Sequence, residues 1–283
     1  MERMHDEFNV TYITFGGHIE LEKYKFLYFV IMFTAYILIL CSNSTIVCLI
    51  WIKKSLHEPM YVFIAALLLN SVMFSTNIYP KLLMDFLSEK QITTHSLCRF
   101  QGIIYYSLTG SEFFLLASMA YDRYMSISKP LQYHTIMRKA TVTVFFTLKG
   151  IFCNNSLYKL FCVTSNELSI YGVIVLLNLG LFPMLFILFT YTKIIIIAFQ
   201  SCGDIRRKAV QTCLPHLLVL INYSVLITYD VVIVKLESDF PKTARFVMTL
   251  QIITYNPLCN PIIYGLKMKE ISNHLKRLLR HMK

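Results

Sequence analysis

Six stretches of this chain stay apolar for 20 residues or more: Phe26–Ile52, Pro59–Leu83, Phe100–Tyr121, Ile170–Phe199, Leu214–Val234 and Phe246–Leu266. An α-helix rises 1.5 Å per residue, so roughly 20 residues cross the ~30 Å of bilayer hydrocarbon. Each run is long enough to span. Lipid offers backbone N–H and C=O groups no partner, and a helix satisfies them within its own segment. A seventh run, Ala140–Leu148, is weaker and about half the required length. The connecting loops are short and leave no room for a separate soluble domain. With 56% hydrophobic and 15% charged residues, the chain has too little polar surface for water to be its solvent.

The organisation expected is a polar tail at residues 1–25, a membrane domain at 26–266 and a second tail at 267–283. The first tail is mildly acidic, with Glu2, Asp6, Glu7, Glu20 and Glu22. It lacks the basic-then-apolar form of a cleaved signal, so the first span serves as an uncleaved anchor. Asn9-Val10-Thr11 is a glycosylation acceptor if this tail faces the lumen, and Asn154-Asn155-Ser156 is a second. Similar tripeptides at Asn43 and Asn222 lie inside apolar runs that no transferase reaches.

A net charge of +11 raises nucleic-acid binding as a class, but the placement of the charge argues against it. With the amino tail outside, the inner loops carry Lys53 and Lys54, then Lys129, Arg138 and Lys139, then Arg206, Arg207 and Lys208. The carboxyl tail adds Lys267, Lys269, Lys276, Arg277, Arg280 and Lys283, while Asp85, Glu89, Glu167, Glu237 and Asp239 offset the outer bases. This is the positive-inside distribution. It holds only if the chain crosses between Lys139 and Asn154, which makes seven crossings rather than six. In the carboxyl tail, Ile271, Leu275, Leu278 and Leu279 fall on one helical face and the bases on another. The pattern fits an amphipathic helix on an anionic inner leaflet, with a frayed basic tail as the alternative.

Charge at membrane depth is costly and marks function by default. The third span ends on Met119-Ala120-Tyr121-Asp122-Arg123-Tyr124, and the last carries Asn260-Pro261-Ile262-Ile263-Tyr264. Pro261 removes one backbone hydrogen bond, and a neighbouring Asn is suited to satisfy the freed carbonyl. Pro183 precedes Tyr191 by eight residues in the fifth span. Taken singly, these are an interfacial ion pair with a snorkelling Arg and ordinary helix prolines. In this order they resemble the Asp-Arg-Tyr, Asn-Pro-x-x-Tyr and fifth-span signatures of rhodopsin-like G-protein-coupled receptors. Leu56-His57-Glu58-Pro59-Met60-Tyr61, the extended Met119–Tyr124 string and Lys208-Ala209-Val210-Gln211-Thr212-Cys213-Leu214-Pro215-His216 resemble odorant receptors, especially the fish-type branch. The resemblance runs from about Asn43 to Glu270.

The resemblance implies an all-α membrane protein: a seven-transmembrane helix bundle with a truncated fourth span and a short amphipathic C-terminal helix. It implies a small-molecule odorant pocket among Tyr105, Tyr106 and Thr109, faced by Val175, Leu179 and Thr228, each of which is equally readable as helix-packing core. It implies an activation switch of Asp122, Arg123, Tyr124, Tyr191, His216, Asn260, Pro261 and Tyr264 acting on a heterotrimeric G protein of the stimulatory olfactory type, and a Cys98–Cys153 disulfide. Cys41, Cys48, Cys202, Cys213 and Cys259 read as free thiols packed as small hydrophobes. Glu112 matches an acid that odorant receptors place in the third span; a core acid bonded to a neighbouring hydroxyl is the competing reading. The lipid bilayer is a partner, and no cofactor, metal or nucleic acid is expected. A small transporter or channel is the rival class, since Glu112 and Asp230 are ionisable at membrane depth, although no repeated half or paired broken helix supports it. An enzyme is weaker, because no His-Glu-x-x-His, Gly-x-Ser-x-Gly or paired Cys-x-x-Cys string occurs.

Three departures from the family pattern stand out. At Lys149-Gly150 the chain passes directly to Ile151-Phe152-Cys153, without the Trp-containing second half of the fourth span and its long outer loop; the single Trp is Trp51. The partner that the resemblance implies for Cys162 falls within the absent stretch. Asn70-Ser71 stands where related receptors carry a sodium-binding Asp, which puts a sodium site in doubt, and Ser224, beside Tyr223, stands at the sixth-span aromatic toggle. An incomplete gene model or a degenerate gene is the preferred explanation of the first departure, and a non-functional or incompletely read product is the alternative to a working receptor. Sequencing genomic DNA on either side of codon 149 is expected to reveal skipped or degenerate coding sequence for about 25 residues; an uninterrupted frame with no such sequence nearby would make the short span genuine.

Overall fold

The computed structural model describes residues 12–14, 21–130, 133, 182–200, 213–214, 216–225 and 242–281. Three helices in it are long and apolar enough to cross a membrane. They belong to α1 (Leu21–Ile52), α2 (Pro59–Leu87) and α3 (His95–Ser128). The later elements are α4 (Phe182–Gln200), α5 (His216–Val225), α6 (Lys242–Lys267) and α7 (Lys269–His281). The short fourth run and residues Asn9, Cys153, Asn154, Cys162, Val175, Leu179 and Thr228 lie outside the described residues.

Helix ends follow local chemistry. A 3₁₀ turn at Lys54–Leu56 lies in the loop after α1, and Pro59 opens α2, where its missing N–H costs no hydrogen bond. Thr94 caps α3 by accepting a hydrogen bond from the Leu97 amide. Helix α3 outruns the apolar segment Phe100–Tyr121 at both ends, because lipid governs only the middle of a span. A small addition to the all-helical expectation is an antiparallel pairing of β1 (Tyr12–Thr14) with β2 (Ile92–Thr94), in register Tyr12↔Thr94, Ile13↔Thr93 and Thr14↔Ile92. Strands this short give no readable alternation.

α1 packs on α2 and α6, and α3 packs on α2 and α4. Apolar burial divides into two clusters. One holds Met32, Ile39, Phe74, Tyr79, Phe86, Leu108 and Ile253; the other holds Ile46, Leu49, Phe63, Leu67, Phe113, Met119, Tyr264 and Ile271. Between them, on each of the four helices that contribute to both clusters, comes a buried polar residue: Asn43 on α1, Asn70 and Ser71 on α2, Glu112 on α3, Asn256 and Asn260 on α6. The bundle is thus two apolar cores separated by a polar layer. Large apolar side chains such as Phe26, Val30, Leu38 and Phe189 stay exposed, as lipid-facing positions allow.

Helix α7 turns away after Met268 and lays Ile271, fully buried, and Leu275 against the lower core, while Lys276, Arg277 and Arg280 stay exposed. Gly265 permits that close approach: a Cβ there would stand 3.3 Å from Leu275 Cδ1 and 3.4 Å from Ile46 Cδ1. Both neighbours are side-chain tips, so a methyl needs only a small shift, whereas a ring has no room. Gly265→Ala is expected to leave the thermal unfolding of the detergent-solubilised protein nearly unchanged. Gly265→Phe is expected to destabilise it by ~1–3 kcal/mol, the usual cost of overpacking, which a fluorescence melt would register.

Candidate functional site

Candidate residues fall in three layers along the bundle, the first at the Asp122 end of α3. Asp122 and Arg123 are consecutive on α3, and both are buried. The guanidinium donates to Asp122 Oδ2 twice, from Nε at 3.0 Å and Nη2 at 2.5 Å. The other carboxylate oxygen accepts from the Tyr133 hydroxyl at 2.6 Å. Burial, then the negative Asp122 beside it, pushes the Tyr133 hydroxyl above the usual phenol range, so it remains a donor at neutral pH. A buried charge pair is tolerable only when its remaining hydrogen-bonding capacity is met. Tyr133, beyond the end of the third span, supplies that last bond and was not among the residues expected from the sequence.

Across from this pair, the Tyr264 hydroxyl lies 3.4 Å from His216 Nδ1, with the ring centroids 5.5 Å apart. Tyr264, His216 and Tyr191 are all buried. Tyr191, Tyr264 and the partly buried Tyr124 and Tyr133 share the inner apolar cluster. Six of the residues expected as an activation switch, Asp122, Arg123, Tyr124, Tyr191, His216 and Tyr264, are therefore brought together from α3, α4, α5 and α6, while Asn260 and Pro261 lie in the layer above.

The middle layer corrects one expectation. Pro261 has no N–H for the Pro257 carbonyl, and a neighbouring Asn was the candidate partner. The amide that reaches that carbonyl belongs to Asn43 on α1, at 2.9 Å, while it also donates to Ile39 O at 2.8 Å. Asn260 instead points into the bundle, donating to Ser71 Oγ at 3.2 Å and Glu112 Oε1 at 3.3 Å. Asn256 donates to the same Glu112 oxygen at 3.5 Å and accepts from Asn222 Nδ2 at 2.6 Å. Glu112 thus faces side-chain amides rather than the hydroxyl its bland reading supposed. Asn43, Asn222 and Asn256 were legible only as polar breaks in apolar runs; the four-residue spacing of Asn256 and Asn260, which puts both on one helical face, was the available signal.

In the outer layer, Tyr105 and Tyr106 pack edge to face at 4.7 Å between centroids, and Phe74 lies 5.2 Å from Tyr105. The Thr109 hydroxyl donates to Tyr105 O at 2.8 Å within α3. Its carbonyl accepts from the Tyr223 hydroxyl of α5 at 2.7 Å. Tyr223 also packs edge-on against Phe113, at 4.7 Å. So Tyr223, beside the missing aromatic toggle, ties the third and sixth spans at the level of Thr109. Cys98 is half-buried and forms no disulfide among the described residues.

A buried ion pair at the inner mouth, a polar layer at mid-depth and an aromatic cluster above describe a membrane receptor. The chain belongs to the 7 transmembrane receptor (rhodopsin family), whose model matches residues 42–264, and within it to the odorant receptors. It is similar to three human proteins. They are Olfactory receptor 2A5 (31% identical, covering 86% of this chain and 88% of that protein), Olfactory receptor 5K3 (32%, 92% and 89%) and Olfactory receptor 2M4 (30%, 98% and 97%). It is a seven-helix signalling receptor rather than an enzyme. Against Olfactory receptor 2M4, 98% of this 283-residue chain is spread over 308 aligned positions, so about 30 of them hold none of its residues. That agrees in size with the gap expected after Lys149, which is about half a span plus a loop.

The Glu112 contacts are testable as hydrogen bonds. Glu112→Gln keeps an acceptor for Asn256 and Asn260 and is expected to change stability by less than ~1 kcal/mol. Glu112→Leu removes the acceptor from the Asn256 amide, at about 1–3 kcal/mol, and leaves Asn260 only Ser71, and its melt is expected several degrees lower.

Proposed function

We propose that this chain is a plasma-membrane odorant receptor that binds a small chemical from the extracellular side and activates a heterotrimeric G protein of the stimulatory olfactory type, raising cyclic AMP. The observation that carries it is the inner cluster, in which Tyr133 and Arg123 saturate Asp122 while Tyr264 rests on His216. The amino tail faces outward, with Asn9 glycosylated and Cys98 paired with Cys153; the charged loops and α7 face the cytoplasm, following the positive-inside distribution. Ligand sits among Tyr105, Tyr106 and Thr109 with Val175, Leu179 and Thr228 opposite. It acts by favouring one of two existing packings rather than by pushing a lever. In the active packing Asp122 releases Arg123, Tyr191 and Tyr264 turn toward it, and the sixth span moves outward near His216 to admit the G protein.

A second reading draws support from the roughly 30 unmatched alignment positions: a receptor product that fails to reach the surface. An antibody to an amino-terminal epitope on intact cells separates the two.

In cells co-expressing the olfactory G protein, Asp122→Asn is expected to raise ligand-free cyclic AMP several-fold, and Tyr133→Phe to raise it less. Arg123→Ala is expected to abolish responses to an odorant panel at unchanged surface level. Ion flux with no odorant response at normal surface delivery would sink the receptor reading in favour of a channel.

A further inference from the structure

The receptor reading leaves unused a groove of about 520 Å³ on the outer face of α1, lined by Cys41, Thr45, Cys48, Ile52 and Lys53 with Leu278 of α7. The α1 positions recur every three or four residues, so they form one stripe along the helix. Small side chains at Cys41, Thr45 and Cys48 recess the surface. The Thr45 hydroxyl donates to Cys41 O at 2.6 Å, which spends its polarity within the helix.

The depth of the groove follows from its neighbours. Trp51, 82% exposed, adjoins it at the end of α1, and Trp prefers the membrane–water interface. Lys53, next but one, therefore stands at headgroup level. From Cys41 to Ile52 the helix rises ~16 Å, close to the ~15 Å of hydrocarbon in one leaflet, and Lys53 follows at once. The groove thus runs from mid-bilayer to the headgroups and ends on a cation. Lys54 follows it in sequence, Lys276 and Arg277 of α7 are also exposed, and no acid is among the described residues that line it.

We propose that this groove binds an anionic phospholipid of the inner leaflet, with one acyl chain along Cys41–Ile52 and the headgroup phosphate on Lys53. A second copy of the chain fits less well, because a two-fold pairing through this stripe would set Lys53 against Lys53. Placing the site in the inner leaflet rests on the orientation proposed above; the binding itself does not.

Native mass spectrometry of the full-length receptor in detergent, titrated with phosphatidylserine or phosphatidylcholine, tests it. Phosphatidylserine is expected to be retained several-fold more. Lys53→Gln should reduce its retention to the phosphatidylcholine level. Cys48→Trp, which fills the groove at a lipid-facing position and keeps the charge, should lower retention of both. Lys269→Gln, exposed on α7 outside the groove, should change neither. Equal retention of the two lipids, or unaltered phosphatidylserine retention in both groove variants, overturns the proposal. So does a dimer that Cys48→Trp abolishes while lipid retention holds. Because retention in detergent is blind to which side faces the cytoplasm, such a failure is distinct from failure of the orientation, which the amino-terminal epitope on intact cells reports.

Discussion

The arrangement of this bundle follows from finding partners for polar groups that lipid cannot solvate, although Asn43 Oδ1, Asn260 Oδ1 and His216 Nε2 stay buried without one among the described residues. Leaving one buried and unpaired costs several kcal/mol by transfer estimates, so each polar residue at mid-depth dictates which helix must lie beside it. Asn43 reaches the carbonyl that Pro261 orphaned, Asn260 reaches Glu112 and Ser71, and Asn222 reaches Asn256. These bonds tie α1, α2, α3, α5 and α6 at a single level. Apolar packing above and below adds cohesion but tolerates sliding, since lipid tails are as apolar as the side chains they replace. Register between the helices therefore comes from the polar layer.

That layer also connects the two ends of the receptor. Helix α6 carries Asn256 and Asn260 in the layer and Tyr264 one turn beyond, against His216 of α5. Helix α3 carries Thr109, which accepts from Tyr223, then Glu112, and then Asp122 and Arg123 at the inner end. A change in the packing of α5 against Thr109 thus acts on the same two helices that present the inner switch. Individual interhelical hydrogen bonds contribute only ~0.6–2 kcal/mol, small enough for a bound ligand to rearrange several. A layer of modest bonds suits a receptor that must hold two packings of similar energy.

The parts of this architecture that were legible in the sequence are those whose cause is local. Apolar length sets the first three helices, and their excess over the apolar runs arises at ends that lipid does not govern. Asp122-Arg123 and Asn260-Pro261 could be singled out because charge and proline within a span need compensation wherever they occur. The identity of the compensating group was not legible. Asn43 stands 214 positions before Pro257, and no local pattern links the two. A nearby Asn was the economical guess for the orphaned carbonyl, and the actual geometry uses a remote one because Asn260 is claimed by Glu112. Tyr133 escaped notice for a related reason: a tyrosine beyond the end of a span reads as ordinary interface until the fold returns it to Asp122. The β1–β2 pairing is equally non-local.

The gap after Lys149 takes on a narrower meaning in this frame. The polar layer draws on Asn43, Ser71, Glu112, Asn222, Asn256 and Asn260, and the inner switch on Asp122, Arg123, Tyr133, Tyr191, His216 and Tyr264. Every one of these lies before residue 134 or after residue 181. Among the described residues, the hydrogen bonds that set helix register and restrain Arg123 join partners that lie outside the shortened region. By contrast, Cys153, Val175 and Leu179, the residues proposed for the disulfide and the ligand pocket, follow Lys149 in sequence. On the receptor reading proposed above, a gap of half a span and a loop there bears first on ligand access, and only through it on the switch.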